Sequence, residues 1–300
     1  MRTLICLLLL LVPGLLRAEE NPPVLVATLS TILTEVAQRV GGEHVRVTGL
    51  VQPGIDPHEY EPKPADLAVL ADAQLILASG KHLEGYLTKL HHSSGSSGVL
   101  VSVGDRFPSL KMRPDDGEKH GETDPNGLIE DPHWWNSVGN VRLATDVVCE
   151  ELIKVDPAHA ADYRKNAETY SASLADLQKW AKIKISELPR DQRRLVTSHD
   201  AFQYFAQEFG FTIYAIEGLS TEDEPSNRKV IATIDRIRQE GVKAVFGEFG
   251  SNPKVLQAIT RESGAKVGGE LYPDGLAPGA ASTYEGLIKH NITTIVDGLK

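Results

Sequence analysis

Cysteine is nearly absent from this chain. Of its 300 residues only Cys6 and Cys149 carry a thiol, and Cys6 lies in an apolar run at the N-terminus. A lone Cys149 excludes a disulfide framework and a thiolate metal cluster, so any metal bound here has to be held by imidazole and carboxylate. Basic charge is in deficit too: 31 Lys and Arg stand against 41 Asp and Glu, a net charge of −10. Nucleic-acid binding needs Lys and Arg to neutralise phosphates, so this acidic chain is a poor candidate for it and a reasonable one for cations. Local metallohydrolase spacing is missing as well, since no HExxH occurs.

Long apolar runs are limited to one. Arg2 is followed by LICLLLLLVPGLL and then Leu16-Arg17-Ala18. The run is too short and too unguarded for a comfortable membrane span. A basic start, an apolar centre and a small residue at the cut site make residues 1–18 a signal peptide. Cys6 has no small residue before it and is not read as a lipid-attachment site. Cleavage removes Arg2 and Arg17 and no acid, which takes the net charge from −10 to −12. The mature chain is therefore expected to be periplasmic or otherwise extracytoplasmic, with no transmembrane segment.

What the chain does have is alternation. VLVAT, VRVTGLV, LILAS and VLVSV in the first half, and LVTS, TIYAI, AVFGEF and AKVGGEL in the second, read as strands separated by helical segments. That pattern predicts an α/β fold with two lobes, each a parallel sheet flanked by helices. Between them, residues 140–188 carry a helical stripe: Tyr163, Ala167, Tyr170, Leu174, Leu177, Ala181, Ile185 and Leu188. Asp156-Pro157 interrupts the run and Leu188-Pro189 closes it. At 1.5 Å per residue the part after Pro157 alone is roughly 45 Å long. We read 140–188 as a long spine helix joining lobe 19–139 to lobe 189–300. HHSSGSSG (91–98) and the acidic 113–127, which contains His120, read as exposed loops.

Four side chains share a context. His58 lies in the Pro-rich loop after VRVTGLV, His133 just before the spine, His199 directly after LVTS, and Asp274 after AKVGGELY. Ligands of open α/β sheets bind outside the carboxyl ends of strands, and three imidazoles with one carboxylate form a sensible closed set for a divalent transition metal. Each also has a plainer use. His58 fits a surface loop, His133 fits packing against Trp134-Trp135, His199 fits a helix start, and Asp274 in Pro-Asp-Gly fits a turn.

Several stretches point to a family: GIDPHEYEPKPADL, DPHWWNSVGN, VDPAHAADYRKNAETY, TSHDAFQYFAQEFGF, the EPS of Glu224–Ser226, and GAKVGGELYPDGL. Together, over nearly the whole mature chain and in order, they resemble the zinc- and manganese-binding solute-binding proteins of bacterial ABC importers. The resemblance implies a receptor, not an enzyme, that holds one metal ion through His58, His133, His199 and Asp274 and delivers it to a membrane ABC permease. A monomer is expected. The His199 position is histidine or glutamate in the family, glutamate going with manganese- and iron-type receptors. Three nitrogens and one carboxylate favour Zn(II) as cargo, with Mn(II) the alternative. The sequence departs from the family in lacking a proline after Trp134-Trp135-Asn136-Ser137, and its loop before His133 is short. Glu59 is a rival oxygen donor, whereas His91 and His92 read as solvent-exposed. In a different class, a secreted zinc hydrolase would use three histidines and a water, with Asp274 or Glu59 as general base. An adhesin role would be an addition to the same fold.

Overall fold

A computed structural model describes residues 22–113, 123–219, 226–251 and 253–300. In the first half, strands β1 (Val24–Thr28), β2 (Val45–Gly49), β3 (Leu75–Ala78) and β4 (Val99–Ser102) form one parallel sheet in the order β2-β1-β3-β4. Every residue of β3 is buried, as an inner strand covered on both faces requires, while β2 at the edge is only partly covered. Helices α1 (Thr31–Gly41), α2 (Pro64–Asp72) and α3 (Leu87–Ser94) make the crossovers. A short antiparallel pair, β5 (Lys111–Met112) and β6 (Ile129–Glu130), then leads to helices α4 (Val138–Val155) and α5 (Ala160–Ile185).

The second half repeats the plan. Strands β7 (Arg194–Thr197), β8 (Thr212–Ala215), β9 (Ala244–Glu248) and β10 (Lys266–Leu271) alternate with α6 (Gln203–Phe209), α7 (Asn227–Glu240) and α8 (Pro253–Ser263), and α9 (Tyr284–Leu299) closes the chain. Its sheet order is β10-β9-β7-β8. Numbered within its own half, each sheet therefore runs 2-1-3-4.

The long central stretch is two helices. Asp156 and a 3-10 turn over Pro157–His159 end α4, and α5 packs along it. Asp156 fixes the turn through Oδ2, which accepts Tyr163 OH at 2.7 Å and lies 2.6 Å from His159 Nδ1. Only α5 serves as the long connection: it packs on α1 of one lobe and α9 of the other. Its stripe from Tyr163 to Ile185 is buried as its periodicity predicts. One apolar core runs without a break from Val24 and Ile32 through Leu152 and Leu174 to Ile288 and Ile295. Smaller clusters fill the outer sheet faces around Ile76 and Val245.

One loop expectation needs correction. His91 to Ser94 form the last turn of α3, capped by Gly95 in the left-handed conformation at φ 63°; Ser94 Oγ donates to His91 O at 2.7 Å and satisfies a carbonyl that the helix end leaves open. Of the 113–127 segment, residues 114–122, including His120, lie outside the described residues, as do Glu224, Pro225 and the leader 1–18. Among the described residues no helix is long and apolar enough to cross a membrane.

Candidate metal centre

The site is built by turns that follow strands. In both Asp-Pro-His motifs the aspartate grips the backbone of the histidine two residues on. Asp56 Oδ1 accepts His58 N–H at 2.8 Å, and Asp131 Oδ1 accepts His133 N–H at 2.9 Å. Asp131 goes further, since its Oδ1 also lies 2.9 Å from His133 Nδ1. That turns Nε2 of His133 inward. His199 leaves the end of β7, and Glu248 at the end of β9 meets its Nδ1 at 2.6 Å. Glu248 also accepts the His199 N–H at 3.2 Å. Asp274 sits in the turn after β10, where Gly275 is required: at φ 153°, a Cβ would lie 2.5 Å from Thr31 Oγ1. That close approach lets Leu276 N–H donate to Thr31 Oγ1 at 2.9 Å. Asn291 of α9 holds the turn from the other side through both backbone groups of Tyr272.

These turns bring the four side chains together. Their donor atoms all lie within 4.8 Å of one another. His58 Nε2 is 3.0 Å from His133 Nε2, and Asp274 Oδ1 is 3.7, 3.6 and 3.2 Å from Nε2 of His58, His133 and His199. His199 Nε2 and Asp274 Oδ1 are buried, face each other at 3.2 Å, and have no other hydrogen-bond partner among the described residues. Buried polar atoms with so few partners are rare in folded proteins and call for an ion or a water. The side chains of His133 and His199 are fully buried, whereas those of His58 and Asp274 are 9% and 13% exposed. A cleft of about 1010 Å³, walled by Glu59, Phe249 and Lys254 among others, opens beside Asp274.

Electrostatics separates the histidines. Burial, reinforced by the His58 and His199 rings, holds His133 well below the ordinary histidine pKa. Burial acts in the same direction on His199, but the Glu248 and Asp274 carboxylates outweigh it and raise this pKa well above the ordinary value. Burial pushes Asp274 up, yet His199 and His58 pull it well below the carboxylate range. Burial dominates at Asp131, whose pKa rises to about 7.

Glu59, the rival donor, is exposed and stands outside the cluster. His91 and His92, in the last turn of α3, are not part of it; His92 is exposed as expected, whereas His91 is only half-buried, its Nε2 covered. The outer partners Asp131 and Glu248 were not anticipated. Asp131 carried a signal, since it precedes His133 by two residues just as Asp56 precedes His58. Glu248 carried none, because it reaches His199 from a neighbouring strand. The missing proline after Asn136 is made good by Ser137, whose Oγ caps α4 by accepting Asn140 N–H.

A two-lobed α/β fold with a metal-type donor set between the lobes defines a class of metal receptor, and comparison with known proteins agrees. Residues 26–298 match the family described as ZnuA, zinc-uptake complex component A, periplasmic. The chain belongs to this family of metal-binding solute-binding proteins of ABC metal importers. It is 36% identical to the manganese-binding lipoprotein MntA of Bacillus subtilis, over 91% of this chain and 89% of that one. It is 31% identical to the zinc-binding protein TroA of Treponema pallidum, over 94% and 90% of the two chains. The iron-binding protein YfeA of Yersinia pestis is also 31% identical, over 94% and 89%. The solved structure of periplasmic zinc-binding TroA superposes with a TM-score of 0.81 at 29% identity, covering 93% of this chain and 99% of that one. Members of the family are solute receptors, not enzymes, which displaces the hydrolase reading.

Proposed function

We propose that the protein captures one Zn(II) ion through His58, His133, His199 and Asp274 and hands it to the membrane permease of its importer. The convergence of three Nε2 atoms and one carboxylate oxygen carries this reading. A tetrahedron with bonds of about 2.0–2.1 Å has edges of about 3.3 Å; four of the six donor separations, 3.0 to 3.7 Å, lie around that value, and all six are within 4.8 Å. Four protein donors leave no open position, which suits carriage. Zinc accepts this donor set without ligand-field cost, whereas manganese favours more oxygen and binds such sites more weakly. Relatedness does not choose, since the relatives are named for manganese, zinc and iron. In this reading the chain is exported, cut near Ala18 and acts as a monomer outside the cytoplasm.

Competition titration of purified protein with both metals is the test. We expect one ion per chain, zinc held more tightly than manganese, and a narrowed preference in His199→Glu, which exchanges a nitrogen for oxygen. Wild-type protein holding manganese more tightly would overturn the zinc assignment. A His133→Ala variant with undiminished affinity would overturn the site.

A further inference from the structure

One turn carries a candidate donor of the first lobe and fastens the loops of both donors from the second. It is the 3-10 turn Trp134–Asn136, directly after His133. Asn136 is 1% exposed. Its Nδ2 donates to Ala201 O at 3.0 Å and to Pro273 O at 2.9 Å. Ala201 stands two residues after His199, and Pro273 immediately precedes Asp274. An amide NH2 has two hydrogens, and here each goes to a different loop of the second lobe. Trp135 Nε1 donates to the same Pro273 carbonyl at 2.7 Å. The turn is itself anchored, because Tyr284 OH donates to Trp135 O at 2.7 Å. A leucine of similar size would fill the space of Asn136 with no donors, so packing alone does not account for an amide there.

We infer that Asn136 is a positioning residue: it holds the His199 and Asp274 loops at four-coordinate spacing and thereby disfavours metals that take more donors. This rests on the reading of the four side chains as the metal site. His199 Nε2 and Asp274 Oδ1 lie 3.2 Å apart across the two loops that Asn136 ties. Without the tie, the loops can separate and admit water, which a six-coordinate ion tolerates and a tetrahedral one does not use. Groups that orient metal-binding side chains typically change affinity 10- to 100-fold when removed.

The experiment compares wild-type protein with Asn136→Leu in three measurements: zinc and manganese affinity by competition, the visible absorption of the Co(II)-loaded protein, and melting of the metal-free protein. We expect zinc affinity to fall about 10- to 100-fold and manganese affinity to fall less. The intense bands of tetrahedral Co(II) should give way to the weak bands of higher coordination. Equal losses for both metals with an unchanged Co(II) spectrum would overturn the inference and leave Asn136 a plain stabilising residue. Should Asn136→Leu fail to fold, Trp135→Phe removes one donor from Pro273 O and should shift the same readouts in the same direction; no shift there overturns the inference too. Failure of the site reading looks different, since His133→Ala would then bind metal as well as wild type.

Discussion

His133 and His199 are both fully buried imidazoles next to a carboxylate, yet their protons behave in opposite ways. His133 is held neutral, with Nδ1 beside Asp131 and Nε2 bare. His199 lies between two carboxylates, Glu248 and Asp274, and keeps its proton in the metal-free protein. Its folded pKa exceeds the unfolded value near 6.5. The ion pair therefore stabilises the metal-free fold fully below that pH and loses the contribution as pH rises through the folded pKa. Metal needs Nε2 bare, so binding at neutral pH should expel about one proton per ion, and affinity should climb with pH across the same window. Calorimetry in buffers of different ionisation enthalpy measures this; no proton release at pH 7 would contradict the arrangement. The sequence showed the four side chains only as positions with a shared context, each with a plainer use, and the family resemblance made them a set; the structure brings their donor atoms within 4.8 Å of one another. Glu248 was not legible, because a contact across 49 residues leaves no local pattern.

At the scale of elements, periodicity read α5 correctly and the route of the chain incompletely. The stripe from Tyr163 to Ile185 is buried as its spacing requires. Asp156-Pro157 was visible as a break. A sequence pattern gives which face is apolar but not the direction in which the chain resumes, so the packing of α5 along α4 could not be foreseen. Strand positions were legible for a related reason: inner strands of parallel sheets are apolar on both faces and stand out as runs. The short β5–β6 pair, two residues a side, carries too little pattern to be found. Leu174, 2% exposed in the shared core, tests the role of α5. Leu174→Ala should cost about 2–5 kcal/mol of stability, measured by denaturant unfolding, while the folded fraction keeps wild-type metal affinity. An affinity loss in the folded protein would make α5 part of the site rather than its support.

Across the whole molecule, both halves repeat one strand order and share one apolar core. Hydrogen bonds cross between them at Glu35 and Tyr284, at Thr31 and Leu276, and at Gly54 and Leu276. Such an interface resists wide hinge closure. Solution scattering of metal-free and metal-loaded protein should give superimposable profiles, with change confined to the loops around His58, His133 and His199; a large rigid-body closure would refute this. The burial of the site has a kinetic consequence. His133 and His199 are sealed, and solvent meets the cluster at His58 and Asp274. An incoming donor can approach an ion there from one hemisphere only. In the proposed site, release is then expected as a stepwise substitution in which Asp274 and His58 are the first groups displaced and the two sealed imidazoles the last. A partner presenting two donors to that face would then draw the ion out while the lobes stay closed.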